Sequence, residues 1–68
     1  MKIYLVIRKV PDRDIEIDAF HVRPKASAYV TAIVRDFARD GVELKREDDL
    51  WVGQAGRLSV EIEEVPVR

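Results

Sequence analysis

One stretch of this chain repeats its apolar side chains at helical spacing over several turns, and it limits what the rest can form. It spans residues 23–41. At about 100° per residue, Ala26, Tyr29, Val30, Ile33 and Phe37 fall within one narrow arc, the i, i+3, i+4, i+7 stripe of a helix facing a core. Thr31, Arg35 and Arg39 fall opposite. Pro24 suits the first helical position, where a missing N–H costs nothing. Gly41 suits the left-handed residue that follows a helix end. Arg39 in the last turn complements the macrodipole, and Asp40 beside it opposes it. A lone helix with one apolar stripe must lie on something else, and a sheet is the natural partner.

The flanking sequence supplies strands. Residues 2–10 place Ile3, Leu5 and Ile7 on one parity and Tyr4 and Val6 on the other, so this strand is apolar on both faces and belongs near the middle of a sheet. Ile15, Ile17 and Ala19 alternate with Glu16, Asp18 and Phe20, the pattern of a half-buried strand. Pro11, Asp12, Arg13 and Asp14 between them have turn chemistry, so residues 2–21 read as a hairpin. After the helix, residues 42–49 fit either a short strand or an irregular excursion. Residues 50–52 read as a brief strand, 53–56 as a hairpin connection with Gly53 and Gly56, and 57–63 as a strand with Leu58, Val60 and Ile62 inward. The alternation breaks at Glu63 and Glu64, where a bulge or strand end would return Val65 to the core; Pro66 fits a strand end. The expectation is a single α+β domain over residues 1–68: a mainly antiparallel sheet of three or four strands, order β-β-α-(β)-β, with the helix on one face.

Composition narrows the means of stabilisation. A chain of 68 residues buries only about 60% of the surface its unfolded form exposes, and such domains commonly rely on disulfides, metals or self-association. Cysteine is absent and there is one histidine, so disulfides, thiolate sites and paired-histidine metal sites are excluded. The apolar run at residues 3–7 is too short for an export signal or a membrane span, which leads to an expectation of a cytoplasmic protein. Residues 1–40 carry eight basic and six acidic side chains and residues 41–68 carry four and seven. The acidic second half is a poor surface for nucleic acid.

The opening strand from Met1, the hairpin, a helix starting just after an aromatic (Phe20, His21, Val22, Arg23, Pro24) and the acidic last strand (Val60 to Pro66) resemble a group of very short bacterial and phage proteins known only as domains of unknown function. The helix start departs from them, with Arg23 where a Ser or Thr cap is usual. The resemblance implies an accessory role and supplies no activity.

His21 has no nucleophile in a recognisable setting, since Ser27 and Ser59 fall in a helix and a strand, so no catalytic residue is assigned and the chain is not read as an enzyme. Glu47, Asp48 and Asp49 lack the spacers and glycine of a calcium loop. Glu61, Glu63 and Glu64 read as a polar strand face that would discourage aggregation at an edge. The 53–56 segment lacks the lysine and the following helix of a phosphate loop. Arg23, Lys25, Arg35 and Arg39 could meet phosphates, but Asp36 and Asp40 interrupt them. Tyr4, Val6, Phe20 and Trp51 fall outside the helix-facing set and admit two readings: an exposed patch on the uncovered sheet face, or Trp51 folded over the edge of the core with Tyr4 and Phe20 paired across strands in a half-exposed face; Ala28 and Ala32 form a weaker strip on the outer helix face. The reading is a non-catalytic interaction or self-associating accessory module, a homodimer through the sheet face being one form. The alternative is a small nucleic-acid-binding accessory protein using Arg23, Lys25, Arg35 and Arg39. No cofactor, metal, membrane or small-molecule ligand is implied.

Overall fold

The helix forms where the stripe places it, as α1 (Arg23–Arg39), in a computed structural model that describes residues 1–53 and 56–67. It starts one residue before the expected Pro24. Val22 is the N-cap and offers no side-chain bond, and Pro24 stands just inside the first turn. Its far end is closed by two backbone bonds, from the Gly41 N–H to the Ala38 carbonyl at 3.0 Å and from the Val42 N–H to the Phe37 carbonyl at 2.9 Å. This is a Schellman closure, which requires the left-handed residue that Gly41 supplies at φ 80°. Ala26, Val30 and Ile33 are buried, with Tyr29, Val34 and Phe37 half-buried around them.

The strands are β1 (Lys2–Lys9), β2 (Glu16–Phe20), β3 (Leu44–Glu47), β4 (Leu50–Gly53) and β5 (Ser59–Pro66). They make one antiparallel sheet in the order β2-β1-β5-β4-β3. The molecule is therefore a small α+β fold, with five strands among the described residues where three or four were expected. Of the two expectations for residues 42–49 the strand is the one that forms, as β3, whose only aliphatic side chain is Leu44 and which therefore shows no alternation. An edge strand needs a partner on one side only, and charge on its free side is protective. β3 and β4 are joined by Asp48 and Asp49, with Asp48 accepting φ 53° as few residues other than glycine and asparagine do. The Gln54 and Ala55 positions of the expected 53–56 connection lie outside the described residues. At its ends, the Gly56 N–H meets the Gly53 carbonyl at 3.0 Å and the Gly53 N–H meets the Leu58 carbonyl at 2.8 Å.

β5 decides which face of the sheet the helix covers. Its Val60 and Ile62 are buried and its Glu61 and Glu63 point the other way. The β1–β5 register runs unbroken from Lys2 opposite Pro66 to Lys9 opposite Ser59. No bulge interrupts it, so Val65 stays on the uncovered face and does not return to the core. Because Val6 faces Ile62 across the ladder, the parity of Tyr4 and Val6 is carried to the helix side, where Phe20 and Trp51 join them opposite Tyr4 and Val60.

Of the two readings of Tyr4, Val6, Phe20 and Trp51, the exposed patch is overturned and the other forms, with Tyr4 paired to Phe20 across the strands and Trp51 half-buried against the core. Val6 is 1% exposed, and Tyr4, Phe20 and Trp51 pack against the core around it. The Phe20 and Tyr29 rings meet with centroids 5.3 Å apart, and the Arg46 guanidinium lies 5.0 Å above the Trp51 ring. The expected half-buried parity of β2 is reversed as well. Ile15 and Ile17 are 57% and 59% exposed. The acidic parity turns to the helix side because partners wait there: Glu16 pairs with Arg8, and Asp18 accepts a hydrogen bond from the Tyr29 hydroxyl at 2.9 Å.

Two substitutions test this sidedness. Val6→Ala should cost about 2 kcal/mol through lost burial and a residual cavity, whereas Ile17→Ala should stay within about 0.5 kcal/mol, both read from urea unfolding. At the helix end, a Cβ on Gly41 would meet no atom within 4 Å. Gly41→Ala should therefore lose only the strain of a left-handed alanine, about 1–2 kcal/mol by the same assay.

Candidate functional site: the uncovered face of the sheet

The uncovered face is built from the odd-numbered side chains of β1. Ile3, Leu5 and Ile7 run along its middle, and on β2 Ala19 and Ile17 stand opposite Leu5 and Ile7. Together with Ile15 they make an aliphatic lane two strands wide. On the other side of β1, the β5 partners of Ile3, Leu5 and Ile7 are Val65, Glu63 and Glu61. Beyond them Leu50 and Val52 of β4 face Glu61 and Ser59, and Glu47 and Lys45 of β3 complete the face. The surface thus grades from an aliphatic lane, through a row of two carboxylates, to a mixed margin.

Such a lane is costly to leave in water, since each aliphatic side chain gains about 25 cal/mol per Å² on being covered. The fold could have presented the other parity of β2 to solvent, yet Arg8 and Tyr29 hold its acids on the helix side. Sequence reasoning missed Ile3, Leu5, Ile7, Ile17 and Ala19 as surface residues because it assigned the more aliphatic parity to the core. The signal that could have found them is β5, where glutamates alternate with the buried Val60 and Ile62.

The remaining candidates are scattered. His21 is exposed in the turn between β2 and α1, Ser27 lies on α1, where its carbonyl accepts the Thr31 hydroxyl at 2.9 Å, and Ser59 opens β5. No hydrogen bond joins the three side chains among the described residues. Asp49 meets Arg23 at 2.6 Å, and Asp48 gives its carbonyl to the Arg46 guanidinium at 2.9 Å. Among the described residues no group of three or more metal-ligating side chains is placed to hold an ion. Glu61, Glu63 and Glu64 do not guard an edge, because β5 lies inside the sheet; Glu64 is on the helix side, 3.1 Å from the Lys2 ammonium.

The basic set does not converge. Arg23 is held by Asp49 and sits over the Tyr4 ring at 5.9 Å, and Arg39 lies 3.6 Å from Asp36. Arg23 and Arg39 stand at opposite ends of α1, roughly 24 Å apart at 1.5 Å per residue. Lys25 and Arg35 are exposed between them, as are Ala28 and Ala32. A cavity of about 360 Å³ lies beside the C-terminal half of α1, with Val10, Ile33 and Phe37 among its apolar lining and Asp14, Asp36 and Asp40 among its acids. Among the described residues its lining holds no histidine, serine or threonine. Among the described residues no helix is long and apolar enough to cross a membrane. The chain matches no protein family, no curated protein and no solved structure with which it was compared.

The Tyr29 phenol is displaced from its ordinary value. Its hydrogen bond to Asp18, then burial, then the Asp18 charge all push its pKa above 10.0, with Arg8 opposing. The unfolded chain therefore loses the phenolic proton first, and stability should fall as pH rises above the ordinary tyrosine value. Tyr29→Phe should cost about 1 kcal/mol at neutral pH and flatten that alkaline fall, both measurable by urea unfolding at several pH values.

Proposed function

We propose that this protein is a non-catalytic interaction module of the cytoplasm whose working surface is the uncovered sheet face, centred on Ile3, Leu5, Ile7, Ile17 and Ala19. The observation that carries the reading is the orientation of β2, which turns its acids toward the helix side and its isoleucines to solvent. Aliphatic side chains gathered on one face and rimmed by polar residues offer a partner a surface to cover. The absence of cysteine agrees with a reducing compartment. The rigid part of the molecule, a sheet backed by α1, holds this surface in place, so a partner meets side chains already ordered and less freedom is lost on binding.

Panning a displayed peptide library against the protein tests this. Binders should lose at least ten-fold in affinity on Leu5→Lys or Ile17→Lys and keep it on Arg35→Glu. A concentration-dependent dimer, seen by sedimentation equilibrium and dispersed by the same two face substitutions, would support the reading equally. Binders indifferent to both face substitutions, from a chain that sediments as a monomer throughout, would overturn it.

A further inference from the structure

The uncovered face carries two features side by side, and their dimensions and charge select among possible occupants. The aliphatic lane on β1 and β2 is about 10 Å wide at the usual strand spacing and about 13 Å long from Ile3 to Ile7 on β1, with Lys9 beyond its far end. Along one flank, one strand spacing away, run Glu61 and Glu63. The opposite flank is the free edge of β2, the end strand of the sheet.

A second copy of this chain fits poorly. Stacking lane on lane would bring together only about 130 Å² of projected surface per copy, well below the roughly 800 Å² per partner of a stable complex. Enlarging the contact to the whole face would enclose Glu47, Glu61 and Glu63 from both copies. Among the described strand residues of this face Lys9 and Lys45 are two cations against those three carboxylates, so even the best pairing would leave carboxylates of both copies without a partner. Burying them unpaired would cost several kcal/mol.

A helix fits both features. Its diameter with side chains is about 10 Å, and about nine residues span 13 Å, so one short helix with an i to i+7 stripe covers the lane. An apolar stripe on Ile3, Leu5, Ile7 and Ile17 would leave the residues flanking that stripe directly above Glu61 and Glu63. Those flanking positions call for lysine or arginine.

We propose that the occupant is an amphipathic helix from a partner protein, with an i, i+3, i+4, i+7 aliphatic stripe and a row of Lys or Arg along one flank, laid along β1 and β2 with that flank over Glu61 and Glu63. The proposal rests on the reading of this face as an interaction surface and adds the chemistry of the partner. Docking would convert a two-layer molecule into a three-layer one, the sheet then enclosed between two helices. The contact is peptide-sized, so the affinity should be micromolar and reversible.

The test uses two labelled 18-residue helical peptides that share a leucine stripe and differ in one flank, lysine in one and glutamate in the other, titrated by fluorescence anisotropy. The lysine peptide should bind at least ten-fold more tightly at low salt, with the advantage shrinking as salt is added. Ile17→Lys should abolish binding, and the exposure of that side chain leaves the fold intact, as circular dichroism would verify. The pair Glu61→Lys and Glu63→Lys together should reverse the preference toward the glutamate peptide. Amide shifts on binding should cluster at Leu5, Ile7 and Ile17.

Equal binding of the two peptides, or a preference unmoved by reversing Glu61 and Glu63, overturns the helix proposal. If neither peptide binds and a dimer is dispersed by Ile17→Lys, the helix proposal falls and the interaction face stands, with a second copy as its occupant. If neither peptide binds and Ile17→Lys alters no association of any kind, both readings fall together.

Discussion

The pairing of β1 with β5 is the constraint on which the rest of the structure depends. These strands lie at opposite ends of the described sequence and side by side in the middle of the sheet, with every residue of β1 matched to one of β5. The match of Val6 with Ile62 sets which face receives α1, and slipping the register by one residue would send every core side chain to the wrong side. It also places β2 and β3 at the two edges. The crossing of α1 from the β2 side to the β3 side then follows, because the chain has no other route between two edges separated by three strands. Contacts so distant in sequence make the central pair costly to close, and they place the fold among the slower-folding topologies for its size.

The helix was legible because its information is local. Five apolar residues at helical spacing, a proline near the start and a glycine after the end describe α1 without reference to anything distant. The hairpin of β1 and β2 was legible for the same reason. The facing of those strands was not, because β1 is apolar on both parities and alternation within it carries no vote. β2 was actively misleading: its isoleucines look like core and its acids like surface, yet Arg8 and Tyr29 reverse them. Tyr29 lies on α1, beyond any local pattern. Residues 42–49 fit a strand and an irregular excursion alike, because Leu44 is the one aliphatic residue of β3 and its partner β4 follows a turn of two aspartates.

The candidate surface was legible in concept and misplaced in detail. A single helix can cover only one face of a sheet, so the sequence already implied a bare face with apolar side chains on it. Which parity occupies that face depends on β5, where the alternation of Val60 and Ile62 with Glu61 and Glu63 is unambiguous. Given the antiparallel match between β1 and β5, the position of Tyr4 and Val6 follows at once. Trp51 follows one strand further on, through its pairing with Val60. The aromatic residues that would ordinarily suggest a binding hot spot instead close the rim of the core, with Trp51 stacked under Arg46 and Phe20 against Tyr29.

The central antiparallel pair also fixes how the molecule would respond to force. Met1 and Val67 are joined by a backbone hydrogen bond of 2.9 Å at one end of the β1–β5 ladder, so both ends of the described chain emerge from the same place. Tension applied through those ends would load the ladder one hydrogen bond at a time, as a zipper is loaded, and would not shear all the bonds at once. The strands that hold the fold together at rest would be the first to part under traction. Built in series into a longer load-bearing chain, the domain would be a soft link; tethered by one end alone, it would feel no such load.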